Sequence, residues 1–463
     1  MDRMEQDKLT WRKDLLKRIF ILAWPAMLEQ TLQTVVQYAD SAMVGQMGAA
    51  ASAAVGLSSP VNWLVNAPMF AMGVGFLACI SRSLGAKDEE TARTAAMQSV
   101  FAAVVMGLGL MILTLAVSPF LPGWLHADAE IYATAARYFF IVSLPMLFRS
   151  ATIIFSSCLR AAGDTRTPMR VSLLMNLTNI CFNALLIFPT GTVRLGSFIL
   201  PGAGLGVEGA AIATALSYLV SGTLMFLALM RSPALSLKGQ KLKLNTAVMG
   251  QCVRIGMPAV FTRISVCLGH VVFLSQVSGL GTIPLAAHSL ALTAEEAVYL
   301  PGFGMQAAAS TLAGNAAGEG DEAFLRGVTR ACTAVAVAIM TVLGGLMFLF
   351  AEPLLSIFTP DEQVIAAGAS VLRIVAVVEP IYAVAIILEG VFNGVGDTRA
   401  PFYFNLFTMW GIRIVSTALC LHVFHLGLNA VWCCMGADNV TRAILFVIRY
   451  GRGKWKKAFH QPA

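Results

Sequence analysis

Residues 163–168 read Gly-Asp-Thr-Arg-Thr-Pro, and residues 396–401 read Gly-Asp-Thr-Arg-Ala-Pro, a repeat displaced by 233 residues. Five of the six positions are identical. Pro25 matches Pro258 at the same displacement, so the repeat extends well beyond this block. Matches in register over such a distance indicate an internal duplication. The chain therefore consists of two related halves.

The composition predicts that both halves lie in a membrane. The 463 residues are 57% hydrophobic and 12% charged, and the mean hydropathy is +0.74. Soluble domains are about 25% charged, so this chain has too few charged residues to cover a water-exposed surface. A disordered chain, a disulfide scaffold and a cytosolic enzyme are therefore excluded. A membrane-spanning helix needs about 20 apolar residues. Twelve apolar stretches meet this need, at 18–44, 53–80, 95–118, 131–157, 168–189, 207–230, 250–277, 285–313, 328–350, 364–391, 401–424 and 427–448.

The basic residues predict the orientation of these stretches. The two termini and every second connection hold 25 Lys and Arg residues, whereas the remaining connections hold one, Arg194. Because basic residues accumulate on the cytoplasmic side, we expect both termini to lie in the cytoplasm. The expected membrane is the plasma or inner membrane. The net charge of +7 is then a result of topology, and no nucleic-acid partner is expected.

Each half holds six stretches, so the two halves enter the membrane in the same direction. We therefore predict an all-α membrane protein whose twelve transmembrane helices form two parallel six-helix lobes, related by a pseudo-twofold axis along the membrane normal. The expected boundaries are 1–230 for the N-lobe, 231–249 for a cytoplasmic linker, and 250–463 for the C-lobe with its basic tail. Two lobes around a central cavity suit alternating access. The nine cysteines lie in or beside apolar stretches without a Cys-x-x-Cys pair, so neither disulfides nor a metal site is expected.

Several motifs resemble the multidrug and toxic compound extrusion (MATE) family over essentially the whole chain. Besides the duplicated block, they are Trp24-Pro25, Asp-Ser-Ala-Met-Val-Gly at 40–45, Gly-Ala-Ala-Ile-Ala-Thr at 209–214, and Gly-Arg-Gly-Lys-Trp at 451–455. The resemblance implies a proton- or sodium-driven antiporter that exports organic cations. No nucleophile or metalloprotease motif occurs, so we do not expect an enzyme.

A polar stripe in the first stretch predicts the coupling site. Gln33, Gln37 and Asp40 follow one another at spacings of four and three, which places them on one helix face. An acid on such a face is expected to point into the lobe and to exchange protons. The alternative is an interfacial carboxylate solvated by lipid headgroups, and we favour the functional interpretation because intramembrane charges are costly.

The resemblance implies three partners for this acid. In the family, polar side chains of the fifth and sixth helices join the first-helix Asp, and Asn179, Asn183 and Thr214 match those positions. Some relatives have a second acid where this chain has Asn183. Asp40 is then the one carboxylate of the site, which favours protons over sodium. Asparagines that only hold helices together are the alternative.

The second half departs from the pattern of sodium-linked relatives, which have acids in the seventh and tenth helices. This chain has Arg263 and Val266 in the seventh stretch, and Tyr382 at the matching position of the tenth. Glu379 lies one turn before that tyrosine, and Glu389 seven residues after it. We therefore do not expect a sodium site of that kind.

Glu295 and Glu296 of the eighth stretch are candidates for acids that line a substrate cavity. The other residues predicted to line it are Gln33, Gln37, Glu379 and Tyr382. Structural pairing with Arg263 or Arg413 is the alternative for the two neighbouring glutamates, and both interpretations stay open. Gating or structural roles are expected for six residues of the repeated segments: Pro25, Asp164, Arg166, Pro258, Asp397 and Arg399.

Local spacing also predicts pairs and caps. Asp164 and Asp397 can cap the helices that follow them, and Asp438 is expected to pair with Arg442 four residues later. Glutamates or backbone carbonyls are the expected partners of three arginines inside apolar stretches: Arg137, Arg149 and Arg373.

The sequence thus predicts a monomeric, cofactor-free antiporter in which Asp40 binds a cationic amphiphile and then a proton. Sodium coupling is one alternative. A flippase for lipid-linked sugars, with Arg149, Arg263 and Arg413 in its cavity, is a second. A channel or passive membrane scaffold is a third.

Overall fold

The computed structural model describes residues 3–125, 127–190, 194–195, 198–199, 202–237 and 243–460. Within these ranges, the side chains at 3–13, 33–39, 41, 49, 59–60, 194–195 and 198–199 are outside the description. The described chain is almost wholly helical. Long apolar runs form helices in a membrane because a helix satisfies its own backbone hydrogen bonds where no water is present.

The first half contains eight helices in its described part: α1 (Arg3–Gly45), α2 (Ala49–Gly85), α3 (Glu89–Val117), α4 (Leu121–Trp124), α5 (Ala129–Ser143), α6 (Met146–Ala161), α7 (Arg166–Leu186) and α8 (Gly206–Arg231). A short antiparallel hairpin, β1 (Arg194–Leu195) and β2 (Phe198–Ile199), lies between α7 and α8. The sequence did not predict this hairpin.

The second half contains nine helices in its described part: α9 (Thr246–Ser278), α10 (Thr282–Glu319), α11 (Glu322–Leu349), α12 (Ala351–Ser356), α13 (Glu362–Gly394), α14 (Arg399–Leu406), α15 (Val415–His422), α16 (Leu428–Gly451) and α17 (Lys456–Phe459). A π-helical segment, Phe407–Ile414, joins α14 to α15 without a break. Wider turns of this kind often occur at functional sites.

Each of the twelve predicted stretches falls on this helical framework. In the described residues, nine continuous helical segments are long and apolar enough to cross a membrane, and the pair α5 and α6 makes a tenth. α1 and α10 have the length, at 43 and 38 residues, but contain more polar side chains. The fourth stretch is not the single helix that the sequence predicted, since α5 and α6 meet at 51°. Pro145 lies at this break and explains it, because proline cannot continue the backbone ladder.

The duplication is visible in the turns. Gly48 and Gly281 precede α2 and α10 with φ of 110° and 104°, and Gly163 and Gly396 have φ of 83° and 82°. Only glycine adopts these values without strain, so both halves depend on glycine at matching turns.

The buried core joins the two halves at one end of the bundle. We call that end the basic side; it holds both Gly-Asp-Thr-Arg turns and the tail that includes α17. There, Leu15 and Ile19 of α1 pack with residues of α10, α11 and α13, and Cys252 of α9 packs with α2, α3 and α6. At the other end, the opposite side, each half has a separate cluster, around Val44 in the first and Trp432 in the second. The described apolar core is therefore shared by the lobes on the basic side and divided between them on the opposite side.

The predicted linker is partly outside the description, at 238–242. Its described parts are attached to the first half: Leu235 is buried in the core of α2, α3 and α6, and Gln98 of α3 donates to the Lys243 carbonyl at 3.0 Å and accepts from the Asn245 amide at 3.1 Å. The domain boundaries stay a prediction.

Candidate functional site

Asp40 lies near the end of α1 on the opposite side, where α7 and α8 approach it. The side-chain nitrogen of Asn183 donates to Asp40 Oδ1 at 2.5 Å and to Asn179 Oδ1 at 3.2 Å. Asn179 in turn donates to Thr214 Oγ1 at 3.4 Å. The structure therefore brings together the four residues that the resemblance grouped. Their role in coupling stays a prediction.

The amide of Asn179 has a second orientation that also fits its surroundings. After a half-turn, its nitrogen lies 2.6 Å from Asp40 Oδ1 and 3.1 Å from Oδ2. In both orientations the carboxylate receives hydrogen bonds from neutral donors. Among the described residues, no Lys, Arg or His forms an ion pair with Asp40. The described part of the site therefore presents a carboxylate that no protein cation neutralises.

Around this network, Asn179 and Asn183 are buried, and Asp40 is half-buried. The side chains of Gln33 and Gln37 lie outside the described part, so their predicted place in the cavity stays a prediction. Tyr138 of α5 packs against the small cluster next to the site. Sequence reasoning missed this tyrosine, because an aromatic residue in an apolar stretch gives no distinguishing signal.

Sequence reasoning also missed a second acid of α1. Glu29 is 5% exposed, and its Oε2 lies 3.2 Å from Arg160 Nη1 of α6. The hydroxyl of Thr311, from α10, donates to the Arg160 carbonyl at 3.3 Å. This group connects α1, α6 and α10 on the basic side. The signal that could have identified Glu29 is an acidic residue inside the first apolar stretch.

The C-lobe holds a buried ion cluster of different character. Asp438 pairs with Arg442 at 2.6 Å, as predicted, and with Arg413 Nε at 2.7 Å, which was not predicted. Arg413 also contacts Asn439 Oδ1 at 3.4 Å, and Arg442 donates to Thr408 Oγ1 at 3.2 Å. The alternative in which Arg413 forms an ion pair with Glu295 or Glu296 is therefore not what the structure shows.

The predicted cavity acids of the C-lobe lie inside its core. Glu379 and Glu295 are 1% and 4% exposed, and Glu296 is half-buried. Both carboxylate oxygens of Glu379 lack a hydrogen-bond partner among the described residues. Tyr382 packs edge-on against Tyr299, with ring centroids 6.0 Å apart. An unpartnered carboxylate is costly to bury in ionised form, and the role of these residues stays a prediction.

The two Gly-Asp-Thr-Arg turns fix the starts of α7 and α14 in different ways. Asp164 Oδ1 accepts from the Thr167 amide at 2.9 Å, which confirms the predicted cap. The predicted cap by Asp397 is wrong, because Arg449 at the end of α16 engages both its carboxylate oxygens, at 2.8 and 3.0 Å. Burial raises the pKa of Asp397, and the Arg449 guanidinium opposes that shift.

The threonines of the same turns contact the first helix of each lobe. Thr165 donates to the Ile21 carbonyl of α1 at 3.4 Å, and Thr398 donates to the Ile255 carbonyl of α9 at 2.7 Å. These bonds lie close in sequence to Pro25 and Pro258, which are inside α1 and α9. Arg166 and Arg399 begin α7 and α14 with exposed side chains. The gating roles stay predictions.

Two of three predicted arginine partnerships are confirmed. Arg137 pairs with Glu208 and Arg373 with Glu352, each at 3.0 Å. The prediction for Arg149 is wrong: its guanidinium donates to Asn62 Oδ1 at 3.3 Å and lies 4.8 Å from the centre of the Tyr218 ring. Across the described part of the chain, no group of three His, Cys, Asp or Glu residues could hold a metal ion. All nine cysteines are free.

Comparison with known families matches both halves separately. The family model MatE covers residues 25–185 and residues 258–419. The two matches begin 233 residues apart, since 258 minus 25 is 233, which is the displacement of the sequence repeat. The match supports the duplication independently of the turns.

Curated relatives match along nearly the whole chain. The sequence is 30% identical over 446 residues to the probable multidrug resistance protein NorM of Thermotoga maritima, covering 96% of this chain and 93% of that protein. It is 27% identical over 412 residues to the probable multidrug resistance protein NorM of Photorhabdus laumondii, covering 86% of each.

Solved structures share the fold. One match has a TM-score of 0.88 at 23% identity and covers 97% of both chains. It is described as an outward-facing conformation of a multidrug resistance MATE family transporter of the MOP superfamily. A second match is a MOP superfamily transporter from Pyrococcus furiosus, for which a binding pocket of reversed polarity is described. It has a TM-score of 0.88 at 24% identity and covers 96% of this chain and 97% of that one.

Proposed function

This chain belongs to the MATE family of membrane transporters, which are transport proteins and not enzymes, and we propose that it exports cationic amphiphilic compounds in exchange for protons. The relatives named as multidrug resistance proteins support the substrate class. The network at Asp40 supports the exchange mechanism. The basic side would face the cytoplasm of a plasma or inner membrane, with the protein acting as a monomer that needs no cofactor.

The observation that carries the proposal is the carboxylate of Asp40, held by neutral groups of α7. When ionised, it attracts an organic cation, and no protein cation competes with the substrate among the described residues. When protonated, it loses that attraction, so the cation leaves. One acid can thus bind the two ions only in alternation, which is the requirement for exchange.

The packing of the lobes supports the direction of release. The halves share an apolar core on the basic side and have separate apolar clusters on the opposite side, and Asp40 lies towards that opposite side. In this conformation a proton from outside would reach the acid, and the released compound would leave the same way. The reverse conformation would reload the site from the cytoplasm.

Energetics permit this exchange. Swapping one proton for one monovalent cation moves no net charge, so the driving force is the pH gradient alone, about 1.4 kcal/mol per pH unit. A single carboxylate favours a proton over sodium, because one proton neutralises it without a set of further oxygen ligands.

The test uses full-length protein in liposomes and ethidium, a fluorescent permanent cation. A pH gradient and a sodium gradient are imposed separately on the wild type, on Asp40→Asn, and on Asp128→Asn as a matched control. Asp128 is an exposed acid of the same lobe whose side chain makes no capping bond. We expect uphill movement that is driven by pH, retained in the control, and lost in Asp40→Asn. Sodium-driven movement that survives Asp40→Asn would contradict the proposal.

Two of the three arginines named for the flippase alternative are engaged within the protein, whereas Arg263 is exposed and forms no ion pair among the described residues. The flippase alternative needs basic groups that are available for a pyrophosphate, whereas Arg413 is paired with Asp438 and Arg149 is held by Asn62 and Tyr218.

A further inference from the structure

A pocket on the basic side has no role in the exchange mechanism. It lies between the start of α11 and the turn that joins α16 to α17, and it has a volume of about 320 Å³. Its lining includes four basic residues, Arg326, Arg330, Arg452 and Lys456. Basic residues are expected on this side from membrane topology, but topology alone does not make them converge on one cavity.

The charges in this pocket are not balanced. Glu322 pairs with Lys456 at 2.6 Å and with Arg326 at 3.5 Å. Arg330 and Arg452 have no carboxylate partner among the described residues. Four positive charges and one negative charge leave a net charge of +3 on these five residues. Such a site attracts an anion.

A tyrosine that lines this pocket has a buried hydroxyl without a partner among the described residues. Tyr450 lines the pocket, and its hydroxyl is shielded from solvent without a hydrogen-bond partner among the described residues. Leaving a buried hydroxyl unsatisfied is costly, and an anion bound beside it would accept its hydrogen bond. The hydroxyl and the unbalanced charges are independent observations that point to the same class of ligand.

The turn that carries the pocket is held rigidly. The Trp455 ring stacks on the Tyr450 ring at 5.7 Å, and its indole N–H donates to the Tyr450 carbonyl at 3.0 Å. Trp455 and Phe459 are buried in the core shared by the two halves. These contacts hold Tyr450 in place, and a preorganised group loses little entropy on binding.

We propose that this pocket binds a phosphate group, supplied either by an anionic lipid headgroup at the membrane surface or by free phosphate. Basic pockets between helices at the cytoplasmic surface suit headgroup phosphates. The set of residues that lines this pocket is not repeated at the matching positions of the first half. Arg326 has a counterpart in Arg93, but the position that matches Arg330 is Met97, and residues 451–455 match a stretch inside α8.

The test measures lipid binding to the full-length protein in detergent by native mass spectrometry. The probe is dioleoyl phosphatidylglycerol, and dioleoyl phosphatidylcholine is the lipid without net charge. The test variant combines Arg330→Gln with Arg452→Gln. The control variant combines Arg170→Gln with Arg231→Gln, which removes two exposed arginines from the same side but outside the pocket. We expect the first double variant to weaken binding of phosphatidylglycerol about 30-fold and the second to change it less than about twofold. Equal losses in both, or no loss in the first, would overturn the proposal.

Tyr450→Phe separates binding from folding. We expect it to weaken phosphatidylglycerol binding about 10-fold, as for a lost hydrogen bond to a charged group, without lowering the thermal stability of the lipid-free protein. Lower lipid-free stability with unchanged lipid affinity would show that the hydroxyl serves the fold, against the proposal. Addition of millimolar inorganic phosphate identifies the source: displacement of the lipid assigns the site to free phosphate, and retention assigns it to the headgroup.

Discussion

The two lobes share a scaffold, but Asp40 of the first and Asp438 of the second are held in different ways. In the N-lobe, Asp40 is surrounded by amides and a hydroxyl. In the C-lobe, Asp438 is 0% exposed and is bound by two arginines. An acid with neutral partners can change its charge, whereas an acid between two guanidinium groups cannot do so without leaving both unpaired. The comparison supports the proposal that Asp40 exchanges ions, and it gives Asp438 a structural role.

The sharpest test of this comparison is the same substitution in both lobes. Asp438→Asn leaves Arg413 and Arg442 buried without a counter-charge, and we expect it to lower the free energy of unfolding by about 3–5 kcal/mol. Asp40→Asn should change stability by less than about 1 kcal/mol, because its neutral partners can also bond to an amide. Thermal unfolding of the two variants in detergent measures the difference. Similar unfolding temperatures would break the distinction.

The contact between the lobes on the basic side gives the next largest effect. A Cβ atom on Gly75 of α2 would lie 3.1 Å from Gly256 Cα of α9, and even nearer the Cys252 carbonyl oxygen. Gly75→Ala should therefore destabilise the joined conformation by about 1–3 kcal/mol.

The measurement for Gly75→Ala is the rate of thiol labelling at Cys252, which is fully buried in the joined conformation. We expect labelling to accelerate about 5- to 150-fold, as a change of about 1–3 kcal/mol implies. Gly109→Ala is the matched control, since a Cβ there meets no atom within 4 Å. Unchanged labelling in Gly75→Ala would mean that the lobes are not held together at this point.

The duplicated helix caps predict small and equal effects in the two halves. Asp88 Oδ1 accepts from the Thr91 amide at 3.0 Å, and Asp321 Oδ1 accepts from the Phe324 amide at 2.8 Å. We expect Asp88→Ala and Asp321→Ala each to reduce stability by about 1 kcal/mol. Clearly unequal losses in thermal unfolding would show that the scaffold has diverged as well.

The cap at Asp88 also predicts a pH dependence. Hydrogen bonds from Thr91 lower the pKa of Asp88 below its usual range. Its contribution to stability is therefore complete above the unfolded pKa of about 3.9, and it is lost as the pH falls through the lower folded value. Unfolding of wild type and Asp88→Ala should converge at such acidic pH; a constant difference between them there would contradict this interpretation.

Most of the fold could be predicted because its signals are local. Apolar runs located the helices, and the repeat located the matching turns. The cap of Asp164 and the pair of Asp438 with Arg442 follow from spacings of three and four residues. Pro145 was a signal for the bend between α5 and α6, but it lies within an apolar run that was interpreted as one helix.

The missed features depend on contacts between distant parts of the chain. Glu29 and Arg160 are 131 residues apart in sequence, and Asp397 and Arg449 are 52 apart. No periodicity within one helix predicts which arginine reaches which acid across the bundle. The grouping of Asp40 with Asn179, Asn183 and Thr214 was foreseen only through the family resemblance, because spacing within one helix does not show which helices meet.

The most direct test of the central claim is proton release on substrate binding. Tetraphenylphosphonium, a cation without a proton to give, is added to the protein in weakly buffered detergent with a pH-sensitive dye. We predict release of up to about one proton per bound cation in the wild type and in Glu379→Gln. We predict none in Asp40→Asn. Release that persists in Asp40→Asn and disappears in Glu379→Gln would contradict the account and place the exchange in the second lobe.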